Sequence, residues 1–258
     1  HNAKTLIKLY SSKGISISAV TKAVCGDPEI AAVLVKTKIK IIADSRIENI
    51  KKMSKSGIKA TFLLLRSPAL SEVRSVIQYA DISLNSELSV IKKLSLTALS
   101  RKTKHKIILM VELGDLREGV MPVDLNRIVE EVIQQKGIIV AGIGANFACF
   151  RGVKPDNEKM AQLSSLSKDI EEKYDLKFDF VSGGNSANYQ WFQSTDDVGK
   201  VNNLRLGESI FLGKESLKRE TIPGLFTDAF RLVTEVIESK NKPSKPNGDI
   251  YQDVSGNV

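Results

Sequence analysis

Short apolar runs alternate along this chain with segments whose apolar residues recur every three or four positions. The runs lie at 15–24, 38–44, 60–66, 81–86, 106–113, 138–146, 178–186 and 201–209, and most are rich in Ile, Val and Leu. They largely lack the apolar–polar alternation of a half-exposed strand, which predicts strands buried on both faces, as in a parallel sheet. The intervening segments carry helical signals. Asp27-Pro28 predicts an N-cap followed by proline at the first helical position, with Ile30, Val33 and Leu34 on one face. Ser45 and Glu48 have the spacing of a capping box, with Gly57 as a stop. Val73, Val76, Ile77 and Ala80 repeat at helical intervals, as do Leu125, Ile128, Val129 and Val132 ahead of Gly137.

Strands alternating with helices eight times predict an α/β fold, a (β/α)8 TIM barrel. A doubly wound open sheet is the rival, but Phe147 stands where the third glycine of a dinucleotide fingerprint should follow Gly142 and Gly144, and no Walker A sequence is present. The opening residues, 1–10, predict a helix. From about Leu225 the texture changes: 229–239 alternates like an exposed antiparallel strand, and 241–249 reads as a turn-rich loop. Two domains are therefore expected, a barrel over 1–224 and the start of an all-β domain over 225–258, in a chain that reads as a piece of a longer protein.

Composition narrows the function classes. With 42% hydrophobic and 26% charged residues over 258 positions, the chain can bury a large core and is not of disordered type. The net charge of +8 is dispersed, and its densest runs, 36–40 and 101–106, have no interleaved aromatics to stack bases, so a solvated basic surface is expected and no nucleic-acid partner. No apolar run reaches the ~18 residues of a membrane span, so no membrane partner is expected. Nothing resembles a signal peptide, and two cysteines make no disulfide framework or metal site; the expected compartment is the reducing cytoplasm.

Barrel chemistry gathers at the carboxyl ends of the strands. Lys22 falls there on the first predicted strand, on the face of Val20 and Val24. Burial in an apolar strand would push its pKa from ~10.4 toward neutrality and make it a Schiff-base nucleophile; a lysine that extends into solvent is the plainer alternative. The seventh strand ends in SGGNSAN (182–188) and the eighth in NNLRLGES (202–209), small-residue turns into helices of the kind that hold phosphate through backbone N–H groups. Cys25 and Cys149 read as packing residues, His1 and His105 as incidental, and Asp44, Asp81 and Asp115 as solvated or capping carboxylates.

The ordered motifs Ala19-Val20-Thr21-Lys22-Ala23, Val111-Glu112-Leu113-Gly114-Asp115-Leu116-Arg117-Glu118-Gly119, Gly144-Ala145-Asn146-Phe147-Ala148, Asn185-Ser186-Ala187 and Leu204-Arg205-Leu206-Gly207 resemble the alanine racemase superfamily of pyridoxal-phosphate enzymes. VTKAVCGDPEIA, ADSRIEN, YADISLNSE, GDLREG and NNLRLGE are closest to its ornithine racemase-like amino-acid racemases. The resemblance implies an isomerase that uses pyridoxal 5'-phosphate to interconvert L- and D-amino acids, with ornithine or another basic amino acid as the small substrate, and it implies a homodimer. Lys22 would join the cofactor covalently. Ser186, with the backbone N–H groups of Ala187, Gly207 and Glu208, would hold its phosphate. Asn146 would pack at the ring, where the family usually has histidine, Arg117 would bond near the phenolic oxygen, and Arg205 would face the pyridine nitrogen. Gly26 and Met110 replace a tyrosine and a modified lysine of alanine racemases, which weakens a specific alanine assignment. The family's second acid/base, a tyrosine of the partner's β-domain, has no counterpart among these residues. A non-catalytic pyridoxal-phosphate carrier with the same barrel is the alternative.

Overall fold

The structure is a computed structural model that describes residues 1–231 and 233–248. A helix, α1 (Asn2–Ser11), precedes eight strands: β1 (Ser16–Val20), β2 (Ile41–Asp44), β3 (Thr61–Leu64), β4 (Ile82–Asn85), β5 (His105–Met110), β6 (Ile138–Gly144), β7 (Phe180–Asn185) and β8 (Asn203–Leu206). The helices that follow them are α2 (Pro28–Lys36), α3 (Ile47–Lys55), α4 (Val73–Tyr79), α5 (Leu88–Ser100), α6 (Pro122–Ile133), α7 (Asn157–Tyr174), α8 (Tyr189–Ser194) and α9 (Glu208–Leu212). Every apolar run marks one strand, shorter than the run in each case; β5 starts one residue earlier than expected, at His105. All neighbours are parallel, and β1 pairs with both β2 (Ser18↔Ile41) and β8 (Ser18↔Arg205), which closes the barrel.

Two apolar layers hold it. Val20, Ala43, Leu63, Ile82, Leu84, Ile108 and Met110 pack inside the barrel, while the larger core lies between the strands and the helices, from Leu6 and Tyr10 of α1 round to Phe211 of α9. Capping fixes where helices begin: Asp27 accepts the N–H groups of Glu29 and Ile30 at the start of α2, and Asp156 accepts that of Lys159 in α7. Between β5 and β6 the register slips after Ile107, and Gly142 passes so close to β7 that a Cβ there would sit 1.8 Å from the Phe180 carbonyl oxygen.

Two local expectations fail for physical reasons. No capping box forms at Ser45 and Glu48: α3 starts at Ile47 with Arg46 at its N-cap, one residue later than that spacing requires, and the Arg46 N–H is held by the buried Asp44 carboxylate (3.0 Å). The strand expected over 229–239 is not formed by its described residues. A strand needs a neighbour to pair with, and the closed barrel offers no free edge, so Val236 and Ile237 stand 77% and 96% exposed. Leu232 and residues 249–258 lie outside the described residues, including the end of the expected loop.

Candidate active site

The carboxyl ends of the strands enclose a cavity of about 190 Å³. Seven of the eight expected residues line it: Lys22, Arg117, Asn146, Ser186, Arg205, Gly207 and Glu208. Lys22 arrives there differently than its apolar neighbours suggest. β1 ends at Val20, and the buried Thr21 donates its N–H to the Ala43 carbonyl and its hydroxyl to Asp44 (2.8 Å). The chain then turns through a short 3₁₀ segment, Lys22–Val24, closed by a left-handed Cys25. Lys22 is therefore an exposed residue on the cavity rim rather than a buried one inside a strand, and the burial argument for its amine does not hold.

Arg205 is the buried cation of the site. It is 5% exposed, and its guanidinium donates to the Ser182 hydroxyl (2.5 Å) and carbonyl (3.3 Å) and to the Ala145 carbonyl (2.8 Å). The Ser182 hydroxyl donates in turn to Asn203 (3.0 Å), whose amide reaches the hydroxyls of Ser16 and Ser18. A polar column inside the β7–β8–β1 wall thus supports the arginine from below. No ion pair among the described residues includes Arg205. Burial lowers its pKa to about 10, with Glu118 opposing that shift, so the group remains cationic at neutral pH.

The two small-residue turns meet beside it. The Ser186 hydroxyl contacts that of Ser209 (3.1 Å) and accepts the Ser209 N–H, joining the end of β7 to the start of α9. Gly207 packs so that a Cβ would press on Val20 at 3.3 Å. Ala187 departs from expectation: it is fully buried, and its N–H is already donated to the Asn185 side chain (2.9 Å), which caps the turn. Asn185, to which the sequence reading gave no role, also donates to Asn146 Oδ1 (3.0 Å) and the Phe147 carbonyl (2.8 Å), holding Asn146 at the wall.

The opposite rim comes from the β5–α6 and β6–α7 loops. Arg117 pairs through Nε with Glu118 (2.8 Å) and donates through Nη1 to Cys149 Sγ (2.7 Å). Both cysteines are exposed, against the packing role expected of them, and Cys149 lines the cavity. Glu118 also lines it. Its pKa is raised, chiefly by burial, with the nearby guanidinium groups of Arg117 and Arg205 pulling the other way. Its only trace in the sequence was its place beside Arg117. Of the three aspartates, Asp81 is exposed, as expected, while accepting the Phe62 N–H; Asp44, which binds Thr21, Arg46 and Asn49, and Asp115, against the β6–α7 loop, are instead buried.

A parallel barrel with a rim lysine, a buried guanidinium with no ion-pair partner among the described residues and small-residue turns at the last two strand ends can hold a small anion-bearing molecule at its carboxyl face. The chain belongs to the alanine racemase N-terminal domain family, whose model matches residues 1–215. It is 37% identical over 257 residues to an ornithine racemase of Acetoanaerobium sticklandii, covering 99% of this chain and 72% of the relative. It is also 37% identical over 255 residues to a lysine racemase of Thermotoga maritima, covering 99% and 71%. A solved alanine racemase of Clostridium difficile superposes with a TM-score of 0.69 at 20% identity, over 81% of this chain and 59% of that one, and so shares the fold.

Proposed function

We propose that this chain is the barrel part of a racemase that uses pyridoxal 5'-phosphate to interconvert the enantiomers of a basic amino acid, ornithine or lysine. The observation that carries the reading is the convergence of Lys22, Ser186, Gly207 and Arg205 on one cavity in a chain 37% identical to racemases of those two substrates. The donor set suits the cofactor: an amine for its aldehyde, a hydroxyl and N–H groups for its phosphate, and an all-donor guanidinium for a nitrogen lone pair. When bound, pyridoxal phosphate supplies an electron-accepting ring that acidifies the Cα–H of an amino acid.

The chain's own residues do the rest. Lys22 holds the cofactor and moves a proton at its Nζ. Ser186, with the N–H groups at Gly207 and Glu208, binds the phosphate. Asn146 and Arg117 orient the ring from the other rim. Arg205 has no acceptor atom and stays cationic, so it would disfavour protonation of a ring nitrogen held against it, and a ring so restrained would favour returning the proton to Cα over side reactions. The same proposal includes a homodimer, a second acid/base from the partner's β-domain, a domain boundary near 224 and a cytoplasmic location. Support for the boundary is the family match, which ends at 215.

The test incubates the full-length protein, barrel and β-domain together, and cofactor with single enantiomers of ornithine, lysine, alanine and serine and follows optical rotation. The expected result is loss of rotation with ornithine or lysine, abolished by Lys22→Ala. Borohydride reduction of the loaded protein should leave a pyridoxyl group on the peptide that carries Lys22. Cofactor binding without interconversion of any amino acid would overturn the enzyme reading in favour of a carrier.

A further inference from the structure

Asp115 lies between Glu112 and Arg117 in chain order but turns away from the cavity, 1% exposed. Its Oδ2 accepts the N–H groups of Cys149 (3.1 Å) and Phe150 (2.9 Å), and its Oδ1 those of Arg151 (3.2 Å) and Val153 (3.1 Å). Four donors from one short stretch form a concave backbone nest, the geometry that elsewhere binds an external anion. Here the chain fills it with its own carboxylate. The curvature uses two left-handed residues, Ala148 (φ 51°) just before the stretch and Gly152 (φ 75°) between the last two donors, and the non-glycine Ala148 holds that conformation at a cost the four bonds offset.

The next contact leads to the site. Cys149, whose N–H is fixed by Asp115, presents Sγ to Arg117 Nη1 at 2.7 Å. The backbone N–H of Arg117 is held separately by Glu112 Oε2 at 3.1 Å. Arg117 is thus fastened at its backbone by one acidic residue of its loop and at its guanidinium both by Glu118 (2.8 Å) and by a cysteine that a further acidic residue, Asp115, sets in place. We infer that Asp115 is a positioning residue: it templates the β6–α7 loop so that Cys149 holds Arg117 at the cavity rim. This rests on the racemase reading for what Arg117 does there, but not for the nest itself.

Asp115→Asn tests it. The amide keeps one acceptor and turns an NH2 group against the other pair of N–H donors, so two of the four bonds are lost whichever way it flips. Hydrogen–deuterium exchange should quicken about tenfold or more at 149–153 and stay unchanged in the barrel strands. In a Cys25→Ser background, the Cys149 thiol should react several-fold faster with an aromatic disulfide. In the cofactor-loaded enzyme, KM for the amino acid should rise about tenfold or more, a quantity that a smaller folded fraction leaves unmoved. Unchanged exchange at 149–153 overturns the nest, and faster exchange with unchanged KM overturns its link to the site. Should the wild type racemise nothing, the functional reading fails, and exchange with thiol reactivity alone decides the proposal. Asp115→Ser removes the carboxylate without an opposing NH2; if neither variant folds, Asp115 serves the fold and not the rim, and the inference is wrong.

Discussion

Arg205→Met separates what the buried arginine costs the fold from what it gives the site. Burial lowers the guanidinium's pKa well below its ordinary range, to about 10, so keeping it charged inside the barrel costs on the order of 3 kcal/mol. Methionine removes that cost and fills similar volume with apolar atoms. The losses are small, because two of the three acceptors keep other partners. The Ser182 carbonyl still accepts the Ala145 N–H (3.0 Å), and the Ser182 hydroxyl still donates to Asn203 (3.0 Å). Only the Ala145 carbonyl loses its guanidinium donor with no other partner among the described residues, at ~1–3 kcal/mol. The difference predicts a cofactor-free protein between unchanged and about 2 kcal/mol more stable. Urea unfolding at neutral pH measures it, provided the slope stays constant. Racemisation should meanwhile fall about 100-fold or more. A destabilisation beyond ~2 kcal/mol would refute the reasoning, since it would mean the guanidinium is a structural tie and not a charge held for a ligand.

His105 opens β5 buried beside the Ser83 hydroxyl (2.8 Å), and burial lowers its pKa from 6.5 to about 4. The unfolded chain therefore binds the proton first: stability is full above about pH 6.5 and falls by on the order of 3 kcal/mol as pH drops to ~4, a slope that His105→Gln should flatten in urea midpoints taken across that range. Gly142→Ala sets a Cβ against the Phe180 carbonyl at 1.8 Å, backbone against backbone; a loss of about 3 kcal/mol or an insoluble product is expected, and a wild-type melting temperature would contradict the tight β6–β7 approach. Ser186→Ala removes the hydroxyl that joins the β7 and β8 turns and should weaken pyridoxal-phosphate binding about tenfold in an absorbance titration, with catalysis at saturating cofactor nearly retained.

The fold was legible because its signal is long-ranged and redundant. Eight apolar runs each marked a strand, and no single boundary had to be right. What misled were short signals decided by competition. Ser45 and Glu48 have capping-box spacing, yet the helix starts one residue later, with Arg46 at the N-cap and its N–H held by Asp44. Lys22 sits among Val20, Ala23 and Val24, which reads as a buried strand, but Thr21 ends the strand by bonding Ala43 and Asp44, and the lysine swings onto the rim. Which residues gather at the cavity was readable from strand ends; which of their groups are free was not. The Ala187 N–H is consumed by Asn185, and the Arg117 guanidinium by Glu118 and Cys149, partnerships that span up to 32 positions of sequence.

The barrel interior is divided, and the division explains how a costly site can be carried. On the β2–β5 side the inward residues are apolar, with Ala43, Leu63, Ile82, Leu84, Ile108 and Met110 forming a dry packed layer. On the β7–β8–β1 side Val20 shares the interior with Ser182, Asn203, Arg205, Ser16 and Ser18, which are linked by hydrogen bonds. An isolated buried guanidinium is expensive; one held on a chain of hydroxyls and an amide has its donors satisfied while its charge remains available. The larger core between strands and helices does not touch this column's chemistry, so it can stabilise the barrel while the column serves the site. Stability and ligand chemistry thus fall on different inward faces of the same eight strands, and substitutions in the two sets should separate: trimming Leu63 or Ile108 should lower the melting temperature, and trimming Ser182 or Asn203 should chiefly shift Arg205 and the affinity for whatever anion-bearing molecule it faces.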